Sequence, residues 1–369
     1  MKVLSVFGTR PEAIKMAPVV KELERRNAVL ESLVCVTAQH RQMLDQVLDL
    51  FAIRPDFDLN VMRENQSLAE VTANVLTGLD EVIARAEPDW ILTQGDTTTA
   101  MVATLAGFYR GVRVGHVEAG LRTWNKLHPF PEEINRKIAD AVCDLHFAPT
   151  ETARENLKRE GIDPASISVT GNTVIDALLD VAERSYDWSS GPLAGISREK
   201  RLILVTAHRR ESFGAPLRSI CAALCDIAAR GDVEIVYPVH LNPNVRSVVA
   251  EVLAGQQNIT LTEPLDYLPL VQLMKQSSLV LTDSGGLQEE APGLGKPVLV
   301  MRETTERPEG VAAGTVRLVG TDRGTIVEET MRLLDHPDEY QRMSQAVNPY
   351  GDGKASQRIV QILIEAQSA

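Results

Sequence analysis

The sequence predicts an α/β protein made of two doubly wound domains that face each other across a cleft, and three observations carry that prediction. Strand-like and helix-like segments alternate along the chain, the pattern of a parallel sheet covered by helices on both faces. At 369 residues and 40.5 kDa the chain exceeds one compact core and fits two domains of ordinary size. Both halves also open alike, with an apolar strand and then a turn carrying arginine: Lys2-Val3-Leu4-Ser5-Val6-Phe7 before Gly8-Thr9-Arg10, and Arg201-Leu202-Ile203-Leu204-Val205-Thr206 before Ala207-His208-Arg209. Each half is therefore read as Rossmann-like. The domains are expected at 1–170 and 171–355, with a last helix, 356–369, packing back on the first.

After the first strand, Pro11 and Glu12 mark a helix start, with Ala13, Met16, Ala17, Val20 and Leu23 as its apolar stripe and Pro18 as an expected kink. A strand over 32–37 leads through Gln39-His40-Arg41-Gln42 into a helix ending at Leu50. Ser67 and Glu70 form a capping box for a helix that ends near Ala86. A strand over 90–93 stops at Gln94-Gly95-Asp96-Thr97-Thr98-Thr99, and a helix to Arg110 follows. The strand over 112–117 runs into Glu118, an irregular 124–130, and a helix opened by Pro131-Glu132-Glu133. Strand 145–148, helix 150–161 and strand 167–170 complete the first half, with Gly171-Asn172-Thr173 as the crossing point. The glycine, proline and serine content of 186–200 marks a surface connection. In the second half, strands over 201–206, 233–239, 259–262, 279–282, 298–301 and 316–319 alternate with helices, and an amphipathic helix over 356–366 closes the chain.

The run 279–309 is the most informative. Its apolar strand breaks at Asp283-Ser284-Gly285-Gly286, where a helix should begin. Two glycines allow close backbone approach to a ligand, and the unpaired amides of the helix start would face an anion such as phosphate. Glu290 is placed in the first helical turn, where it could take the hydroxyls of a ribose. The alternative is a plain tight turn with Glu290 complementing the helix dipole.

Composition narrows the function classes. Apolar residues make up 44% and charged residues 24%, a globular profile. A net charge of −12 argues against nucleic acid or an anionic membrane as partner, so an anionic ligand must be held by a local cluster. Cys35, Cys143, Cys221 and Cys225 form no CxxC pair and suit a reducing cytosol. The opening strand is not a signal peptide, and no apolar run is long enough to span a bilayer.

In a parallel sheet ligands bind at the carboxyl ends of the strands, and the unusual polar residues lie there. In the first half these are Arg10, Lys15, Asp96, Glu118 and Arg122, with Glu132 and Arg136 on the next helix start; in the second they are His208 to Arg210, His240 and Ser284 to Glu290. Asp96 read alone is a helix N-cap. Glu118, directly after a buried strand, requires a partner or a function. Glu133 reads as a dipole-complementing residue, and Arg136 can pair with Glu132 at i,i+4. His208 is a proton-transfer group, a donor to phosphate, or a hydrogen-bonded core histidine. Arg10, Lys15, Arg209, Arg302 and Arg307 would suit a diphosphate. No GxGxxG follows the first strand, and no GxxxxGK[ST], GxSxG or zinc-ligand spacing occurs, which leaves carboxylates and histidine as the chemistry and no cofactor or metal expected.

The motifs FGTRPEAIKMAP, TAQHRQMLDQ, GDTTT, GHVEAGLRT, PFPEEINR, TGNTVIDAL, TAHRRESFG, YPVHLNPNV, DSGGLQEEAPGLGKPVLVMRETTERPEG and NPYGDGKAS closely resemble, in order and over nearly the whole chain, the non-hydrolysing UDP-N-acetylglucosamine 2-epimerases. The resemblance implies a fold like that of the GT-B glycosyltransferases, usually a homodimer, and interconversion of UDP-GlcNAc and UDP-ManNAc by anti elimination of UDP to 2-acetamidoglucal and syn re-addition. It implies Asp96, Glu118, Glu132 and His208 as catalytic positions. Arg10, Lys15, Arg136, His240, Ser284, Gly285, Gly286, Glu290 and Arg307 would bind the UDP-sugar, with uracil near Leu265 to Leu270. A second UDP-GlcNAc acting as allosteric activator would engage Gln39, Gln42, Gln66, Arg210 and His240; Asn65 departs from the basic residue that precedes the equivalent of Gln66 in one member of the family.

Overall fold

The computed structural model describes residues 1–37, 41–61 and 66–368, apart from the side chains of residues 42 and 368. The chain divides into two compact units, Met1–Ala177 with Tyr350–Ala369, and Leu178–Pro349.

The first unit follows the alternation of its sequence: β1 (Lys2–Phe7), α1 (Arg10–Arg25), β2 (Glu31–Val36), α2 (Arg41–Leu50), β3 (Phe57–Asp58), α3 (Leu68–Ala86), β4 (Trp90–Gln94), α4 (Thr98–Tyr109), β5 (Arg113–Val117), α5 (Glu132–Val142), β6 (Leu145–Ala148), α6 (Glu151–Arg159), β7 (Ile167–Val169) and the start of α7 (Thr173–Glu183). Its strands form a parallel sheet in the order β3-β2-β1-β4-β5-β6-β7, so the winding reverses between β1 and β4. Central strands are covered on both faces, hence the continuous burial of β1 from Val3 to Phe7 and of β4 from Trp90 to Gln94. Leu4, Val6, Val75, Leu79, Ile91, Val102 and Val114 form the core on one side. Gly8 ends β1 because nothing larger fits: a Cβ there would lie 2.0 Å from Thr37 Oγ1. The predicted start of α1 is a complete capping box, with Glu12 Oε2 accepting from Thr9 N at 2.8 Å.

The second unit continues from α7 with β8 (Arg201–Thr206), α8 (Ala215–Ala228), β9 (Val233–Pro238), α9 (Pro243–Leu253), β10 (Ile259–Thr262), α10 (Tyr267–Gln276), β11 (Ser277–Thr282), α11 (Gly285–Gly293), β12 (Val298–Val300), α12 (Pro308–Ala313), β13 (Val316–Leu318), α13 (Arg323–Asp335) and α14 (Pro337–Ser344). The sheet order β10-β9-β8-β11-β12-β13 places the same kind of reversal between β8 and β11. Ile203, Val205, Leu217, Leu224, Ile235, Tyr237, Leu281 and Leu299 belong to its core. The last helix, α15 (Ala355–Ser368), belongs to the first unit, where Asp176 on α7 accepts from Ser356 N at 2.8 Å and Ser356 Oγ at 2.6 Å. Among the described residues no helix is long and apolar enough to cross a membrane.

Candidate active site

A reversal in strand order opens a crevice at the carboxyl ends of the two strands it separates, and in the first unit those ends carry Arg10, Asp96 and, one strand over, Glu118. Glu118 has φ +66°, a conformation L-residues seldom adopt, and is buried. Its carboxylate receives Lys15 Nζ at 2.6 and 2.7 Å, Asn172 Nδ2 at 2.9 Å, and Gln94 Nε2. The pairing that burial demanded is thus supplied by Lys15, reaching from α1. Lys15 is engaged by Glu118 and differs in this from the diphosphate cation expected of it.

Asp96 is not the cap of α4. Thr97 is, its side chain accepting from Ala100 N at 3.1 Å, because the turn at Gly95 leaves Thr97 in the extended conformation an N-cap needs. Asp96 instead accepts from Arg136 Nη2 at 2.5 Å, and its carbonyl from Asn135 Nδ2 at 2.9 Å. Arg136 also bonds Glu133 at 3.2 Å, so the pair on α5 is i,i+3 with Glu133 and not the expected i,i+4 with Glu132. Glu133 is no exposed dipole-complementing residue either. It is fully buried, and its oxygens accept the amides of Thr123 at 3.0 Å and Trp124 at 2.9 Å, tying the preceding loop to the helix start. Glu132 is half-buried, and its Oε2 is buried without a hydrogen-bond partner among the described residues.

Two buried groups beneath these loops were not singled out from the sequence. Glu12 accepts from Gly8 N at 3.0 Å and Thr97 Oγ1 at 2.5 Å, tying the loop after β1 to the loop after β4; burial pushes its carboxyl above the ordinary value against these hydrogen bonds. His116, fully buried in β5, lies 2.5 Å from Asp140 Oδ1. Arg122, expected at the site, is instead sequestered below it, donating to Asp140 at 2.5 Å and Glu160 at 2.6 Å. A capping-box pattern at Thr9 and Glu12 and a histidine inside an apolar strand were the available signals.

In the second unit the loops after β8 and β11 meet through Asp283. It is fully buried, and its Oδ2 accepts the amides of His208 and Arg209, both at 2.7 Å. His208 Nδ1 stands 3.4 Å from Asp283 Oδ1, and its ring stacks on exposed His240 with centroids 5.2 Å apart and planes at 11°. Burial pushes the His208 imidazole below its ordinary value, opposed by Asp283 and reinforced by His240 and Arg209. Of the three roles open to His208, the core histidine fits worst, since the side chain is 34% exposed.

Ser284 is the N-cap of α11 but makes no side-chain capping bond, so it leaves the first-turn amides to other partners. Neither Gly285 nor Gly286 has positive φ or a crowded Cβ; the nearest atom to a Cβ at Gly285 would be Arg209 Nη2 at 3.5 Å. The fold therefore does not demand glycine here, and a guanidinium stands beside a helix start, the arrangement that suits an anion. Glu290 is buried and is the sixth residue of α11, hence in its second turn and not its first, with Tyr267 Oη 3.1 Å from Oε1. Arg307 pairs with Glu289, while Arg302 is buried and tethered between Glu211 and Glu306. Leu265 is buried just before α10 and Leu270 half-buried within it. Gln66 is half-buried ahead of α3 and Arg210 is exposed; Gln39, Asn65 and the side chain of Gln42 lie outside the described residues.

The family model described as UDP-N-acetylglucosamine 2-epimerase matches residues 21–364 of the chain. The UDP-N-acetylglucosamine 2-epimerase of Escherichia coli (strain K12) is 57% identical over 370 residues, covering 98% of this chain and 98% of that protein. That of Bacillus subtilis (strain 168) is 54% identical over 365 residues, covering 99% and 95%. The crystal structure of UDP-GlcNAc 2-epimerase from Neisseria meningitidis bound to UDP-GlcNAc superposes with a TM-score of 0.87 at 49% identity, covering 99% of this chain and 100% of that one.

Proposed function

Since the chain belongs to the UDP-N-acetylglucosamine 2-epimerase family, we propose that it interconverts UDP-GlcNAc and UDP-ManNAc without hydrolysis, supplying ManNAc units for surface polysaccharide. The observation that carries the reading is that Asp96, Glu118 and Glu132 follow β4, follow β5 and open α5 at the carboxyl edge of one sheet, with α5 tied to Asp96 through Arg136, in a chain whose other sheet has a glycine helix start flanked by arginine at its reversal.

The C2 proton of the sugar is not adjacent to a carbonyl, so expulsion of the C1 diphosphate must drive its loss. In the first half-reaction a base takes the C2 proton, the electron pair forms the C1–C2 double bond, and the C1–O bond breaks to release UDP and 2-acetamidoglucal. In the second, UDP returns to C1 while a proton is delivered to the opposite face of C2. A base needs a lone pair to spare. Glu132, with an oxygen free of hydrogen bonds among the described residues, is our assignment for that proton, whereas Glu118 and Asp96 are carboxylates already charge-paired by Lys15 and Arg136. Arg10, Arg209, Arg307 and the amides of Gly285 and Gly286 would hold the diphosphate, Glu290 the ribose and the 265–270 segment the uracil, while His208, its Nδ1 facing Asp283, would serve the leaving phosphate as a proton-transfer group. A homodimer in the cytosol, a domain boundary after residue 170, and activation by a second UDP-GlcNAc through Gln39, Gln42, Gln66, Arg210 and His240 complete the reading.

Incubation with UDP-GlcNAc alone in D2O, followed by NMR, tests it. UDP-ManNAc carrying deuterium at C2, with no build-up of free UDP, is the expected result. Free UDP and free sugar rising together would mark a hydrolysing enzyme, and no exchange at C2 a sensor without chemistry.

A further inference from the structure

We propose that His116 is a positioning residue held charged in the folded chain at neutral pH, whose imidazolium, clamped between Asp140 and the Gly95 carbonyl, locks the two loops that carry Asp96 and Glu118. The inference rests on the reading above only for what those loops do.

The geometry fixes the charge. His116 is fully buried, with Nδ1 2.5 Å from Asp140 Oδ1 and Nε2 2.7 Å from Gly95 O. A carbonyl accepts only, and Asp140 is held ionised by the Arg122 guanidinium at 2.5 Å and the Gly120 amide at 3.3 Å. Neutral imidazole has one N–H and would press a lone pair against one of these acceptors; the imidazolium donates to both. The charged and titratable groups packed around it agree. Asp140 and Lys137 come from α5, Arg122 from the loop after Glu118, and Glu160 from the end of α6, where it binds Arg122 and Lys137. His146 of β6 faces the Asp140 carbonyl at 2.8 Å, and burial keeps it below the ordinary value. For His116 burial alone would lower the value, but Asp140 outweighs it and the net displacement is upward.

The clamp reaches both loops. The Gly95 peptide is held from two sides, its N–H donating to Val117 O at 3.0 Å and its carbonyl accepting from His116, so the left-handed turn before Asp96 is pinned to β5. Asp140 also holds the amide two residues beyond Glu118. Removing the charge leaves one N–H for two acceptors, so either Asp140 or Gly95 O loses its donor, and the loops that carry Asp96 and Glu118 lose their shared anchor although no ligand contact is deleted.

Long-range 1H–15N spectra of the full chain at about pH 8, above the ordinary histidine value, should show both ring nitrogens of His116 protonated; a one-proton pattern overturns the proposal. His116→Gln should lower kcat about 100-fold while KM for UDP-GlcNAc stays within about twofold, and should displace the amide resonances of Asp96 and Glu118. A kcat within about twofold of the unsubstituted chain, or a KM rise with kcat unchanged, also overturns it. If the variant does not fold, the ring spectrum of the unsubstituted chain decides. If that chain does not convert UDP-GlcNAc, the functional reading falls, and the clamp is judged on ring protonation and the two amide resonances.

Discussion

Glu118 combines an unfavourable backbone, which costs an L-residue about 1 kcal/mol, with a buried charge, and its side-chain contacts maintain both. Lys15, Gln94 and Asn172 all donate to one carboxylate. Glutamine at this position keeps the shape but brings an N–H2 among those donors and removes the counter-charge of the half-buried Lys15 ammonium. Glu118→Gln should therefore reduce epimerisation by about 100-fold or more, while UDP binding by calorimetry changes little, since the proposed diphosphate ligands of the second unit are untouched. Activity near that of the unsubstituted chain would remove Glu118 from the chemistry.

At the level of elements, α5 shows how a helix start can organise a loop. Glu133 holds the amides of Thr123 and Trp124, the latter at φ +62°, and braces Arg136, which in turn holds Asp96. Glu133→Ala leaves two amides and a guanidinium without their acceptor and should cost roughly 2–3 kcal/mol of stability in urea unfolding, with faster hydrogen exchange at Thr123 and Trp124. Unchanged exchange there would show that the loop holds itself. The alternation of strands and helices, the start of α1 at Pro11 and Glu12, and the capping box at Ser67 were legible because they depend on neighbours in sequence. Glu133 and His116 were not, because their partners are brought by topology: a loop ten residues back in one case and α5 and the β4 turn in the other. The Asp96 and Glu290 placements failed by a residue or two, since the sequence marks that a turn occurs but not where the helical hydrogen bonds begin.

Across the whole molecule, ion pairs with at least one buried partner set the response to pH, and each unit has one whose direction is clear. In the first, burial alone would raise the Asp140 carboxyl, but His116 and Arg122 overcome it and hold the value at about 2. In the second, hydrogen bonds from Arg302 hold Glu306 at about 2 as well. Both groups are depressed relative to ordinary values of about 4. Their stabilisation is therefore fully present above about pH 4 and is lost as pH falls through about 2. His116 has the opposite sign: displaced upward, it stabilises fully below the ordinary value of about 6.5 and loses that contribution as pH rises through its folded value. His208, displaced downward, adds stability above about 6.5 that fades as the unfolded chain takes up a proton. Glu12 and Asp176, both raised by burial, gain on acidification and blunt the acid loss without reversing it. The melting temperature should accordingly be highest near neutrality and fall between about pH 4 and about pH 2. Asp140→Asn should melt lower at neutral pH yet lose less on acidification, because its proton-linked term is gone. Glu306→Gln should flatten the acid limb in the same way, through the second unit alone. An Asp140→Asn curve that runs parallel to that of the unsubstituted chain down to about pH 2 would mean that the His116–Asp140–Arg122 array does not govern acid stability.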